Sequence, residues 1–189
     1  MENNDEGLKI DDKEKNIDLN EKIIEIDTSG SGLDGLKESY AELKKDFPLP
    51  DFDSLNEDFA IEKLQNEDTD FLIREIRKSI SDKFSAYLRF LETLLQPSNA
   101  QMFVFMMLKS MTSEDMSKMQ SIYKNLARKE IEVIELDLKY DIDKEVEFIS
   151  SAYDMWLKIR EDLLFFVGKI KDNWSDNDQS IEKNNHYFG

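Results

Sequence analysis

Between Asp68 and Trp174 apolar residues recur at steps of three and four, and no run alternates at a step of two between turn residues. Steps of three and four gather side chains on one stripe of a helix, whereas a half-buried strand needs strict alternation. In the first long segment Ile73, Ile76, Ile80, Phe84, Tyr87, Leu91 and Leu94 follow this rule, with Asp68 or Thr69 as N-cap and Pro97 as terminator. Ser98 and Gln101 have capping-box spacing and open a short helix, apolar on nearly all sides from Met102 to Leu108, which is expected to be buried. Thr112 and Asp115 start the next helix, whose face runs through Met119, Ile122, Tyr123, Leu126, Val133, Leu136 and Tyr140 and is widened by Ile131, Ile134 and Leu138. In the last helix the positions 146, 149, 153, 156, 160, 163, 167, 170 and 174 are apolar except Arg160, which reads as a coiled-coil-like seam. The expected fold is all-α: an antiparallel helical bundle of three long helices plus one or two short ones, joined by short loops.

Ahead of this body, Leu33, Leu36, Tyr40, Leu43 and Phe47 share a helix face that stops at Pro48 and Pro50. Asp51 to Leu64 reads as a short helix or a strap over the body. Residues 1–32 mix Asp, Glu, Asn and Lys around few apolar residues and end in a Ser/Gly linker. Such a composition cannot offset an ordering cost of about 1–2 kcal/mol per residue, so a disordered acidic tail is expected. Residues 175–189, rich in Asn and Asp, are expected to be disordered too. The expected organisation is therefore 1–32 tail, 33–67 docking helix and strap, 68–174 bundle and 175–189 tail.

Charge follows the same division. The chain of 189 residues has 42 acidic and 25 basic side chains, a net of −17. Residues 1–67 contain 20 acids against 8 bases, while 68–174 contain 19 against 16, so the body is close to neutral. A chain this acidic is not expected to bind nucleic acid directly.

Residue types exclude much chemistry. There is no cysteine and a single histidine, His186. Thiol nucleophiles, disulfides, thiolate zinc sites and multi-histidine metal centres lack their ligands. The helix-borne acids Glu130, Glu132, Glu135, Asp137, Glu145 and Glu147 lack the Glu-x-x-His partners of a carboxylate di-metal bundle. No catalytic group, cofactor or metal is expected. The acidic start of the chain lacks a secretory signal, and no apolar run approaches the roughly 20 residues of a membrane span, so a cytoplasmic protein is expected.

Four features remain as candidates for interaction. Arg160 interrupts the apolar seam and must find a carboxylate or reach water, because an unpaired buried guanidinium is strongly unfavourable. Arg74, Arg77 and Lys78 are neighbours on one helix surface and suit acids of the tail or of another helix. Ile23, Ile24 and Ile26 form an apolar island in the acidic tail with enough character to dock. The methionines 102, 106, 107, 111, 116 and 119 suit core filling, with a partner groove or Cu(I) as sharper alternatives. Gly168 reads as a close helix contact. The expectation is a non-enzymatic interaction or adaptor protein whose acidic arm favours a partner with a basic surface. A self-assembling homo-oligomer is the alternative, and a metal-binding or catalytic bundle the third.

Overall fold

The computed structural model describes residues 32–66, 71–96, 104–105 and 108–184, leaving aside the side chains of 66 and of 174–184. The described residues form α1 (Leu33–Asp46), α2 (Phe52–Phe59), a 3-10 turn (Ile61–Asn66), α3 (Leu72–Leu95), α4 (Ser113–Leu138) and α5 (Ile142–Asn184), with no strand among them. The protein is all-α, as the three-and-four rhythm requires.

Each long helix packs on the other two, and side-chain pairs give their directions. Arg77 and Ser85 of α3 bond to Asp137 and Glu130 of α4, so these helices run antiparallel. Lys129 and Asp115 of α4 bond to Ser151 and Lys169 of α5, again antiparallel. Arg77 and Tyr87 of α3 meet Glu145 and Trp156 of α5, so α3 and α5 are parallel. The result is an up-down-up bundle. Its core is built from stripes such as Ile76, Ile80 and Leu91 of α3, Met119, Ile122 and Leu126 of α4, and Ile149, Trp156 and Phe166 of α5.

Local signals set the helix ends. Thr112 and Asp115 form the predicted capping box: Asp115 N donates to Thr112 Oγ1 at 3.2 Å, and Thr112 N donates to Asp115 Oδ2 at 2.8 Å. Asp141 Oδ1 accepts from Lys144 N at the start of α5. The residue preceding α3 is Phe71, with no side-chain cap; Asp68 and Thr69 lie outside the described residues.

α1, α2 and the 3-10 turn cross the bundle as a strap. Tyr40 Oη donates to the Pro50 carbonyl at 2.8 Å and Ser150 Oγ donates to the Pro48 carbonyl at 2.7 Å, tying the proline turn to both α1 and α5. Burial raises the Tyr40 phenol above its ordinary range. Phe59 of α2 packs on Phe84, Tyr153 and Trp156, and the Lys83 ammonium sits over the Phe59 and Trp156 rings while donating to the Asp58 carbonyl. Desolvation pushes Lys83 below its ordinary value.

The structure departs from the sequence reading in several places. The core stripe of α5 runs Ile149, Ala152, Trp156, Ile159, Leu163, Phe166 and Ile170. It shares 149, 156, 163 and 170 with the predicted seam, but replaces Tyr153, Arg160 and Val167 by the residue before each. Phe166 is 0% exposed and Val167 49%. Two registers one residue apart have equal three-and-four rhythm, and packing selects the one that removes the larger apolar side chain, Phe166, from water. α5 also continues to Asn184, past the predicted tail boundary at Trp174, because adding residues to a formed helix avoids the cost of a new nucleus. Phe105, expected to be buried, is exposed while Val104 is buried. Met119 is fully buried, and Met111 and Met116 pack half-buried against the core; Met102, Met106 and Met107 lie outside the described residues. A Cβ at Gly168 would meet nothing within 4 Å, so this glycine makes no close helix contact.

Candidate interaction surface

The core side of α4 is fixed by Met119, Ile122, Leu126 and Leu136, all buried. At 3.6 residues per turn, Ile131, Ile134 and Leu138 fall in a sector about 60° wide, centred roughly opposite that stripe. They are 67%, 55% and 84% exposed. The expectation that these three widen the core is thereby corrected: the helix period itself points them outward. Two residues beyond Leu138, Tyr140 stacks edge-on against Phe71 at 6.0 Å between ring centroids, and the Arg74 guanidinium lies 5.2 Å from the Tyr140 centroid. Phe71 and Tyr140 are exposed as well.

Charge on this face is unevenly engaged. Every acid along its length has a local donor. Glu130 accepts from Ser85, Glu132 from Lys129, Glu135 from Lys144, and Asp137 from Arg77. Lys124, Arg128 and Lys139 are exposed and have no carboxylate partner among the described residues. All three lie on one edge of the Ile131–Ile134–Leu138 stripe, separated by steps of four and eleven residues that keep them on neighbouring sectors. Glu132 and Glu135 fall on the same edge, between Arg128 and Lys139 along the helix, so the stripe is apolar with one rim of mixed charge.

Beside that rim an open groove of about 350 Å³ separates α4 from α5. Leu136 and Phe148 supply its apolar wall, and Lys129, Glu132, Glu135, Lys144 and Glu147 its polar edge. Lys129 Nζ donates to Glu132 at 2.5 Å and to Ser151 Oγ at 2.8 Å, 5.2 Å from the Phe148 ring centroid. Its charge is thus internally compensated. Among the described residues no three His, Asp or Glu side chains converge as a metal-binding group, and no helix is long and apolar enough to cross a membrane.

The residues singled out by sequence separate. Arg77 is a core residue, 1% exposed, whose Nε donates to Glu145 Oε2 at 2.9 Å and Nη2 to Asp137 Oδ1 at 2.7 Å. It leaves the proposed basic cluster because position 77 lies between Ile73 and Ile80 on the buried side. Lys78 is exposed and pairs with Glu75, and Arg74 faces Tyr140. Arg160 is half-buried at the edge of the core, since Ile159 takes the seam position, and its Nη1 donates to Asp58 Oδ1 at 3.2 Å. Ile23, Ile24 and Ile26 lie outside the described residues. Sequence reasoning missed Lys124, Arg128 and Lys139, although a helical wheel centred on Leu126 places them beside the outward isoleucines.

A second apolar set is exposed on α5: Leu157, Leu164, Phe165 and Val167. Leu157 and Leu164 are seven residues apart on one face, and the Lys169 ammonium covers Phe165 at 4.7 Å from its centroid.

The chain matches no protein-family model, no curated protein and no solved structure. Its functional reading rests on this surface.

Proposed function

We propose that the chain is a non-enzymatic, cytoplasmic protein-interaction module that docks a protein partner on the outer face of α4. The observation that supports this is the exposure of Ile131, Ile134 and Leu138, three large apolar residues at helical spacing on a helix whose other side already fills the core. Solvent-facing stripes of this kind accept an apolar helix face at i, i+3, i+7 positions. The acidic N-terminal region adds long-range attraction toward a partner with basic surface elsewhere, which weakens as salt rises.

The test immobilises the full-length protein beside its Ile134→Glu/Leu138→Glu variant and compares captured proteins by mass spectrometry. A partner held by the first and lost by the second, at equal helicity and equal melting temperature, is expected. Identical captures would remove the reading. The exposed Leu157, Leu164, Phe165 and Val167 favour a second reading, a homo-oligomer completed through α5. Sedimentation equilibrium decides it: a monomer mass at every concentration removes self-assembly.

A further inference from the structure

The apolar stripe of α4 is nearly symmetric about Ile131. At 3.6 residues per turn, the half-buried Tyr123 and Ala127 share one sector about 80° wide with Ile131, Ile134 and Leu138. Tyr123 and Ala127 stand eight and four residues before Ile131, and Ile134 and Leu138 three and seven after it. A second α4 laid antiparallel across Ile131 therefore sets Ile131 on its mate, Ala127 on Ile134 and Tyr123 on Leu138, a seam about 22 Å long. Such a contact is isologous, so the mixed rim meets itself in reverse order. Lys124, Arg128 and Glu135 are the rim residues nearest the stripe. Across the axis, Glu135 of each copy falls within about one turn of both Lys124 and Arg128 of the other, so opposite charges meet twice. Glu132 and Lys139 stand farther back toward solvent, where salt screens them. On the opposite edge Glu130 faces its own mate, a like-charge contact that keeps the pairing weak.

We propose that the occupant of the α4 face is a second copy of this chain, antiparallel about a twofold axis at Ile131, with Glu135 of each copy between Lys124 and Arg128 of the other. This rests on the reading of the α4 face as a docking surface and names its partner. The seam leaves the core intact, because Met119, Ile122, Leu126 and Leu136 fill the other side of the same helix. Its apolar part is short, so the dimer forms with rising concentration rather than as a permanent assembly.

Sedimentation equilibrium of the full-length chain up to about 1 mM, in about 0.15 M salt to screen the net −17 of each copy, is the first test. A monomer–dimer equilibrium is expected, weakened at least about tenfold by Ile134→Glu and tightened by Glu130→Gln. Lys124→Glu/Arg128→Glu and Glu135→Lys should each stay monomeric alone, where like charges face each other, and dimerise when the two chains are mixed. The absence of cysteine allows the direction to be read from single thiols. Ile131→Cys, on the axis, should crosslink to its mate faster than Leu138→Cys, which lies about 20 Å from its own. A monomer at every concentration overturns the proposal, as does a dimer indifferent to Ile134→Glu, a charge-swapped mixture that stays monomeric, or faster crosslinking of Leu138→Cys. A monomeric chain that still captures another protein through Ile134 and Leu138 removes the homodimer and keeps the docking face.

Discussion

Arg77 Nε donates to Glu145 Oε2 at 2.9 Å inside one end of the three-helix core, joining α3 to the first turn of α5. Glu145 is fully buried and its Oε1 has no hydrogen-bond partner among the described residues. Arg77 reaches Asp137 with its other arm, so one guanidinium holds the ends of all three long helices together. Desolvating such a pair costs about what their attraction returns, whereas removing one member strands the other charge.

Arg77→Met or Glu145→Leu alone should therefore cost about 3–5 kcal/mol in urea unfolding, while the double variant recovers most of the loss. A coupling below about 0.5 kcal/mol in the double-mutant cycle would show that the two charges do not depend on each other.

The registers of α5 differ in consequence at adjacent residues. Phe166→Ala removes a fully buried ring and is expected to cost about 3–5 kcal/mol. Val167→Ala, on the open side, is expected to stay within about 0.5 kcal/mol. The reverse order in thermal or urea unfolding would restore the seam through Tyr153, Arg160 and Val167.

Helix existence and direction are legible in the sequence because the three-and-four rhythm and the Thr112–Asp115 box are local. What the sequence withholds is rotation. A stripe at residues 152, 159 and 166 and one at 153, 160 and 167 have the same period, and only the neighbouring helices decide which faces inward. Arg77 illustrates the same limit. Its place between Ile73 and Ile80 is visible in the chain, but the carboxylate that makes burial tolerable lies 68 residues away. The Ile131–Ile134–Leu138 face is legible in principle from the angle it makes with Leu126 and Leu136, since apolar residues on both sides of one helix cannot all meet the same core.

Asp115 links the α4 cap to α5. The Lys169 ammonium, 2.6 Å away, and the Thr112 backbone N–H hold its carboxyl down to about 2 from an ordinary 3.8. A depressed carboxyl contributes stability above its unfolded value and loses it as pH falls through the folded one. The stability difference between the wild type and Asp115→Asn should thus be full above about pH 4 and shrink toward pH 2. Urea midpoints of both proteins at successive pH values check this, and a difference independent of pH would show that Asp115 acts only as a neutral cap. Thr112→Ala, which removes the other half of the box, should lower the midpoint at all pH values.

The outward stripe and the inward stripe of α4 should respond oppositely to the same kind of change. Ile134 stands 55% exposed, so Ile134→Glu removes little buried area, and Glu is a good helix former; its unfolding free energy should remain within about 0.5 kcal/mol of the wild type. Ile122 is buried a little over three turns earlier on the core side, and Ile122→Ala should cost about 2–5 kcal/mol through lost transfer energy and the cavity left behind. If the α4 face is a binding surface, the first variant keeps its fold and loses its partner, while the second loses stability first and binding only as a result. Urea unfolding of both variants, read beside capture of the same partner, separates the two effects. A large stability loss from Ile134→Glu would mean that this face is already buried within the folded chain, and the docking site would have to be sought on α5 instead.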